Sequence, residues 1–171
     1  DLNFQLSKHL KSELIKSDLI SLFDKVEMPL LKVLAKMELS GIKLDSNFLL
    51  KLSIKFHKNL KALEKLIFEL SNENFNIASP KQLGEVLFGK MKIIDNPKKT
   101  KSGQFSTSED ILSKLASEHK IVEKVLEWRS LQKLLNTYVD SLPKQIDLKS
   151  NRIHAEFNQA VASTGRLSSN N

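Results

Sequence analysis

The run S-N-F-L-L-K-L-S-I-K-F-H-K-N-L-K-A-L-E-K-L-I-F-E-L, from Ser46 to Leu70, places apolar side chains at Leu49, Leu52, Phe56, Leu60, Leu63, Leu66, Ile67 and Leu70. Recurrence at three and four residues is the period of a helix with one apolar stripe. With Asp45 as its N-cap, the run predicts an unbroken helix of about 25 residues, about 37 Å long. Lys51, Lys55, Lys58, Lys61 and Lys65 share the other side with only Glu64 and Glu69, which reads as a solvated face. His57 has no second ligand placed beside it and reads as a surface residue.

A second run of the same kind extends from about Ile121 to Leu142, with Val122, Val125, Leu126, Leu131, Leu134, Leu135, Tyr138, Val139 and Leu142 on its apolar side, and Pro143 stops it. Two arms of similar length joined through a common tip are expected to pack antiparallel and project as a stalk. The fold class is therefore mainly α: a long antiparallel helical hairpin with short tip helices and a small β segment near the C-terminus. Arg129 and Lys133 share a face of the second arm, and with Glu127 nearby the plain reading is a surface salt-bridge face.

Between the arms lies N-P-K-K-T-K-S-G-Q-F-S-T-S, Asn96 to Ser108, with Lys98, Lys99, Lys101, five hydroxyls, Gly103 and no acidic residue. Its composition cannot bury enough apolar surface to order itself, so it reads as a mobile tip. Ammonium groups, the hydroxyls of Thr100, Ser102, Ser106 and Thr107, and accessible backbone N–H groups suit a row of phosphates. The same composition also suits an ordinary solvated connection. Upstream, Ser79 followed by Pro80 predicts a capped helix to about Lys90, whose N-terminus, with Lys81 beside it, is a recurring anion-holding arrangement. Downstream, Ser106 and Glu109 stand in capping-box register and open a helix through Ile111, Leu112 and Leu115 to near His119.

The flanks are simpler. Leu2, Leu6, Leu10, Leu14, Leu19 and Leu22 predict one helix from Asp1 to about Phe23. Pro29 suits the first turn of the next, Gly41 suits the left-handed residue after its end, and Leu30, Val33, Leu34 and Met37 form its expected buried stripe. R-I-H-A-E-F-N-Q-A-V, from Arg152, alternates Ile153, Ala155 and Phe157 with polar residues, a half-buried strand that implies a sheet supplied from elsewhere.

The chain's 171 residues are 40% hydrophobic and 27% charged, an ordinary globular balance, and a net charge of +7 favours an anionic partner such as nucleic acid. The absence of Cys removes disulfide and thiol chemistry. No apolar run approaches the roughly 18 residues of a membrane span, and the N-terminus is not a signal peptide. Ser-Ser-Asn-Asn at the end offers no helix end or strand partner, so the chain reads as a piece of a longer protein.

A-V-A-S-T-G-R-L-S-S, Ala160 to Ser169, resembles the first shared polymerase motif of the family A DNA polymerases, the bacterial DNA polymerase I group. V-E-M-P-L-L-K-V-L-A-K-M-E from Val26, G-I-K-L-D from Gly41, F-N-I-A-S-P-K-Q-L-G-E-V-L-F from Phe75, K-K-T-K-S-G-Q-F-S-T from Lys98 and L-N-T-Y-V-D-S-L-P from Leu135 fit in the same order. The resemblance implies that residues 1–23 are the last helix of a preceding 3'-5' exonuclease-like domain, 24–145 the thumb, and 146–171 the start of the palm. It implies a DNA-directed DNA polymerase of replication and repair, bacterial, cytoplasmic and nucleoid-associated, whose thumb grips the primer-template duplex along the minor groove. By the same match Ser79, Lys81, Lys98, Lys99, Thr100, Lys101, Ser102, Gly103, Ser106 and Thr107 touch the sugar-phosphate backbone, and Arg129 and Lys133 face the DNA near the thumb base. Arg166 reaches the minor-groove edge near the primer terminus, with Thr164 beside it. Ala78 departs from the polar side chain of many relatives, which puts one tip hydrogen bond in doubt.

A copying enzyme must hold every sequence alike, which phosphate contacts and shared minor-groove acceptors permit. The two Mg2+ ions of nucleotidyl transfer are expected on palm carboxylates outside these residues, so this segment alone is expected to be inactive and to hold no cofactor. Asp95, Glu109, Asp110 and Glu118 lack the paired spacing of a metal site and read as capping or solvated residues. The other expected partners are the rest of the polymerase chain; no membrane is implied. The competing reading is a stand-alone helical hairpin that binds a protein partner through an exposed apolar stripe. An independent enzyme finds no support, since no nucleophile, base and orienting group stand at workable spacing.

Overall fold

A computed structural model describes residues 1–170 in two compact units, one formed by Asp45–Lys144 and the other by Asp1–Leu44 with the segment from Gln145. In the first unit the leading run is realised as α4 (Ser46–Ser71). Asp45 caps it by accepting the Phe48 N–H at 2.9 Å, and Asn72, at φ 56°, ends it in the left-handed region that Asn tolerates. The return arm is α7 (Lys120–Leu134), prolonged without a break by a wider turn over Leu135–Val139. Pro143 lies in a 3-10 turn, Leu142–Gln145, so the second arm ends sooner than expected.

The arms run antiparallel, as the order of their side-chain ties shows. Ser53 and His57, early in α4, reach Asp140 at the end of the return arm, whereas Glu64, further along, reaches Trp128. Leu60 and Ile67 of α4 meet Val122, Val125 and Leu135 in the core, and Leu83, Leu87 and Leu112 from the short segments close it. Trp128 belongs to this stripe although the apolar reading of the second arm omitted it. Its indole N–H donates to Glu64 Oε1 at 3.1 Å, so both the apolar body and the polar tip are satisfied.

The short segments are α5 (Pro80–Gly84), continued by a wider turn over Glu85–Lys90, and α6 (Glu109–Leu115). Ser79 caps α5 by accepting the Gln82 N–H at 3.4 Å. The expected capping box does not form: Ser108 is the N-cap of α6 and makes no side-chain cap bond. The Ser106 N–H, from which Glu109 would accept in a capping box, donates instead to the Lys98 carbonyl at 2.8 Å.

In the other unit the expected single helix breaks. α1 (Leu2–Lys16) stops at Ser17, Asp18 takes φ 56°, and the chain restarts as α2 (Ile20–Leu22), a wider turn over Phe23–Glu27, and α3 (Met28–Ser40). α1 buries none of its side chains. Pro29 sits in the first turn of α3 and Gly41 follows it at φ 62°. A Cβ on Gly41 would lie 2.7 Å from the His154 ring and 2.9 Å from the Ile153 carbonyl, so this position requires glycine on both counts. The buried stripe of α3 is narrower than expected: Leu34 is buried, but Val33 and Met37 are 52% and 48% exposed.

The C-terminal strand finds its partner within the chain. β1 (Glu156–Asn158) pairs antiparallel with β2 (Ser168–Asn170), in register Phe157 opposite Ser169. Ser168–Asn170, part of the end read as offering no strand partner, thus supplies the return strand, reached through Gly165 at φ 74°. Ile153, the first of the three inward residues of the alternation, pairs instead with Ile42. His154 Nδ1–H donates to the Glu38 carbonyl at 2.7 Å while Nε2 accepts from Ser150 Oγ at 2.8 Å, which ties the turn before β1 to the end of α3.

Candidate nucleic-acid interface

The segment expected to be a mobile tip is an ordered hairpin. Ser106 N–H donates to Lys98 O at 2.8 Å, Thr100 N–H to Gln104 O at 2.8 Å and Gly103 N–H to Thr100 O at 2.9 Å, with Lys99 bridged to Phe105. Thr100 Oγ1 donates to Gln104 O at 3.2 Å and accepts from Ser102 Oγ at 2.9 Å. Gly103 turns the hairpin at φ 81°, with open space where a Cβ would stand. These local bonds satisfy a backbone that composition alone left unpartnered.

Phe105 seats the hairpin. Its ring lies 5.8 Å from that of Phe88, and Lys99 Nζ stands 5.4 Å from its centroid, a cation–π distance. Gly84 provides the room, since a Cβ there would come within 2.9 Å of Phe105 Cβ. The Ser79-capped helix and the lysine hairpin, separate in sequence, are thereby one structural unit. The signal was a single aromatic in an otherwise polar run.

Lys81, Lys98, Lys99, Lys101 and Lys133 are exposed and pair with no carboxylate among the described residues. Ser102 and Gly103 are exposed with them, while Ser79 and Ser106 are partly covered. Lys124 differs: its ammonium donates to Glu127 at 2.8 Å and to Glu123 at 3.2 Å, and these bonds raise its pKa above the usual lysine range. Glu127 is therefore turned to Lys124, and the expected ion-pair face with Arg129 does not form.

Two candidate residues are placed differently from expectation. Thr107 is only 6% exposed, and Arg129 donates to it twice, from Nη1 to the carbonyl at 2.6 Å and from Nη2 to Oγ1 at 3.1 Å. Its carbonyl and hydroxyl are both taken by Arg129, so it stands behind the surface that its neighbours form. Burial lowers the Arg129 pKa from its usual value, opposed by the charge of Glu109, but a guanidinium stays charged at any working pH. In the other unit Thr164 and Arg166 flank Gly165 and are exposed.

Chemically this surface can attract and hold oxyanions: it offers ammonium groups, hydroxyls and no competing carboxylate within Asn96–Ser108. No three His, Asp or Glu side chains among the described residues are grouped to hold a metal ion. No helix among the described residues is long and apolar enough to cross a membrane.

A two-helix stalk ending in an uncompensated lysine hairpin has the make-up of a non-specific polyanion holder. The sequence model of DNA polymerase family A matches residues 46–171, and the chain belongs to that family. It is 44% identical over 171 residues to DNA polymerase I of Synechocystis, covering 98% of this chain and 17% of that protein. It is 44% identical to DNA polymerase I of Geobacillus stearothermophilus, covering 96% and 18%, and 41% identical to the thermostable DNA polymerase I of Thermus thermophilus, covering 96% and 20%. The chain thus spans no more than a fifth of the length of these relatives. Among solved structures, the POL domain of Pol1 from M. smegmatis, in complex with DNA primer-template and dNTP, superposes with a TM-score of 0.84 at 34% identity, covering 97% of this chain and 29% of that one.

Proposed function

We propose that this chain is the duplex-holding thumb segment of a DNA-directed DNA polymerase that serves replication and repair. In this reading residues 1–23 close the preceding exonuclease-like domain, 24–145 form the thumb and 146–171 begin the palm. Residues 24–44 are the thumb base, which packs on the start of the palm through the Ile42–Ile153 pairing. The observation that carries the reading is the hairpin of Lys98, Lys99 and Lys101, seated on the Ser79-capped helix in a chain of this family. Exposed ammonium groups and hydroxyls grip the sugar-phosphate backbone beside the minor groove, in contacts available from any sequence. The Mg2+ ions of nucleotidyl transfer belong to carboxylates elsewhere in the parent polymerase. Exposed Phe48, Leu50 and Ile54 on α4 are what the competing reading, a hairpin docked on a protein partner, would use.

Fluorescence anisotropy with two duplexes of unrelated sequence tests the proposal. The expected result is equal affinity for both and a steep fall with salt. In Lys98→Ala/Lys99→Ala/Lys101→Ala the slope of log K against log salt should shrink by about 2.7, three lysines at roughly 0.9 each. Binding that ignores salt, or a triple variant that binds as the parent chain does, would remove the hairpin from the interface.

A further inference from the structure

The double donation from Arg129 to Thr107 ties the second arm to the residue that follows the hairpin mouth, and nothing in the lysine-phosphate reading calls for it. Thr107 comes immediately after Ser106, whose N–H closes the hairpin on Lys98. It precedes the N-cap Ser108, so its carbonyl lies outside the hydrogen-bond ladder of α6. A buried carbonyl without a partner is strongly unfavourable, and Arg129 Nη1 is the donor that fills this one. The second N–H takes the hydroxyl, which fixes the Thr107 side-chain rotamer while its methyl packs toward Gly84. One guanidinium thereby holds the backbone and side chain of one residue in a two-pronged geometry that an ammonium group cannot reproduce.

We infer that Arg129 is a positioning residue that sets where the lysine hairpin stands on the second arm, acting on DNA through Thr107 and not by touching a phosphate. The inference deepens the proposed function and rests on it for its consequence in DNA binding. The distance between the hairpin lysines and Lys133, one turn from Arg129 on α7, is set by this latch. A lysine cluster that rocks on its mount would still attract DNA but would order its contacts less well, so affinity falls with the charge count unchanged.

The test uses amide exchange over residues 98–107 without DNA, together with duplex affinity and its salt slope, in Arg129→Lys, Thr107→Val and Thr107→Ser. Valine keeps the volume of threonine and the carbonyl but loses the hydroxyl acceptor; serine loses the methyl and keeps both acceptors. The latch predicts that Arg129→Lys and Thr107→Val speed exchange by about tenfold and weaken duplex binding severalfold, while Thr107→Ser stays near the parent chain in both. A packing role would reverse the order of the two threonine variants and would overturn the inference. So would unchanged exchange in Arg129→Lys, or wild-type binding restored by that charge-conserving change, the outcome of a direct phosphate contact. The hairpin lysine variants separate the two levels. If exchange responds as expected but neither they nor the latch variants alter duplex binding, the DNA reading fails and the positioning role in DNA binding falls with it; if the lysine variants weaken binding and the latch variants do not, only the latch is wrong.

Discussion

At the scale of single residues, the ties between the arms depend on groups whose protonation matters. Asp140 accepts from Ser53 Oγ at 2.7 Å and from His57 Nε2–H at 3.0 Å, and these bonds, the serine's foremost, hold its carboxyl below the ordinary Asp range against the opposing effect of partial burial. A depressed folded-state pKa contributes stability that is present above the unfolded value of about 3.9 and is lost as pH falls through the folded value. Asp140→Asn should therefore lower stability by about 0.5 to 1 kcal/mol at pH 7 and much less at pH 3, read from urea melts at the two pH values. An equal loss at both would show that the carboxylate charge plays no part. Gly84 gives a prediction of opposite sign to helix propensity. Alanine is favoured over glycine by about 1 kcal/mol inside a helix, yet its Cβ would press on Phe105 Cβ at 2.9 Å. Gly84→Ala should thus destabilise the chain by about 1 to 3 kcal/mol in the same melts. Stabilisation would mean that the hairpin does not sit where Phe105 places it.

At the scale of elements, α4 was legible in full because its signal is redundant: eight apolar residues in period, an acidic cap and no Gly or Pro inside. The Ser79-Pro80 start and the Gly41 stop were legible for a similar reason, since one residue type dominates each geometry. What failed was decided by contacts distant in sequence. Ser106 stands in capping-box register, but its N–H is taken by the hairpin bond to Lys98, and the helix starts after Ser108. The order of the tip depended on Phe88 and Gly84, more than fifteen residues upstream, and the break after α1 on a left-handed Asp18 that periodicity does not register. In the candidate site the exposed lysines were legible from composition, whereas the Arg129–Thr107 pair, 22 residues apart, was not. The register of α4 is open to a matched test. Ile67 is 0% exposed and Ile54 66%, on one helix and with one side chain. Ile67→Ala should cost about 2 to 5 kcal/mol and Ile54→Ala within about 0.5 kcal/mol, by denaturant titration. Similar losses at both positions would mean that the helix is rotated from the register described.

At the scale of the whole molecule, the charge is unevenly employed. Within Asn96–Ser108 three lysines meet no carboxylate, while on α7 Lys124 is shared by two glutamates. The positive charge of the hairpin is therefore wholly available to an anion, whereas part of that on the arms is held by their own glutamates. If the proposed function holds, and Arg166 on the turn that leads into β2 reaches the minor-groove edge as the resemblance implies, the chain divides its work in the parent polymerase between affinity, from the hairpin lysines, and alignment, from Arg166. A group that reads the minor-groove edge near the primer terminus matters most when the terminus is being aligned for reaction, and adds little to a grip that rests on many phosphates. In full-length polymerase, Arg166→Ala should therefore slow single-turnover nucleotide incorporation by roughly tenfold or more while duplex affinity changes by less than about threefold. The lysine triple variant should do the reverse, weakening duplex binding with the incorporation rate at saturating DNA nearly unchanged. Rapid-quench incorporation and anisotropy on the same two proteins measure both quantities. If Arg166→Ala lost affinity and rate in equal proportion, or if its incorporation rate were unchanged, alignment would have to be assigned to other residues.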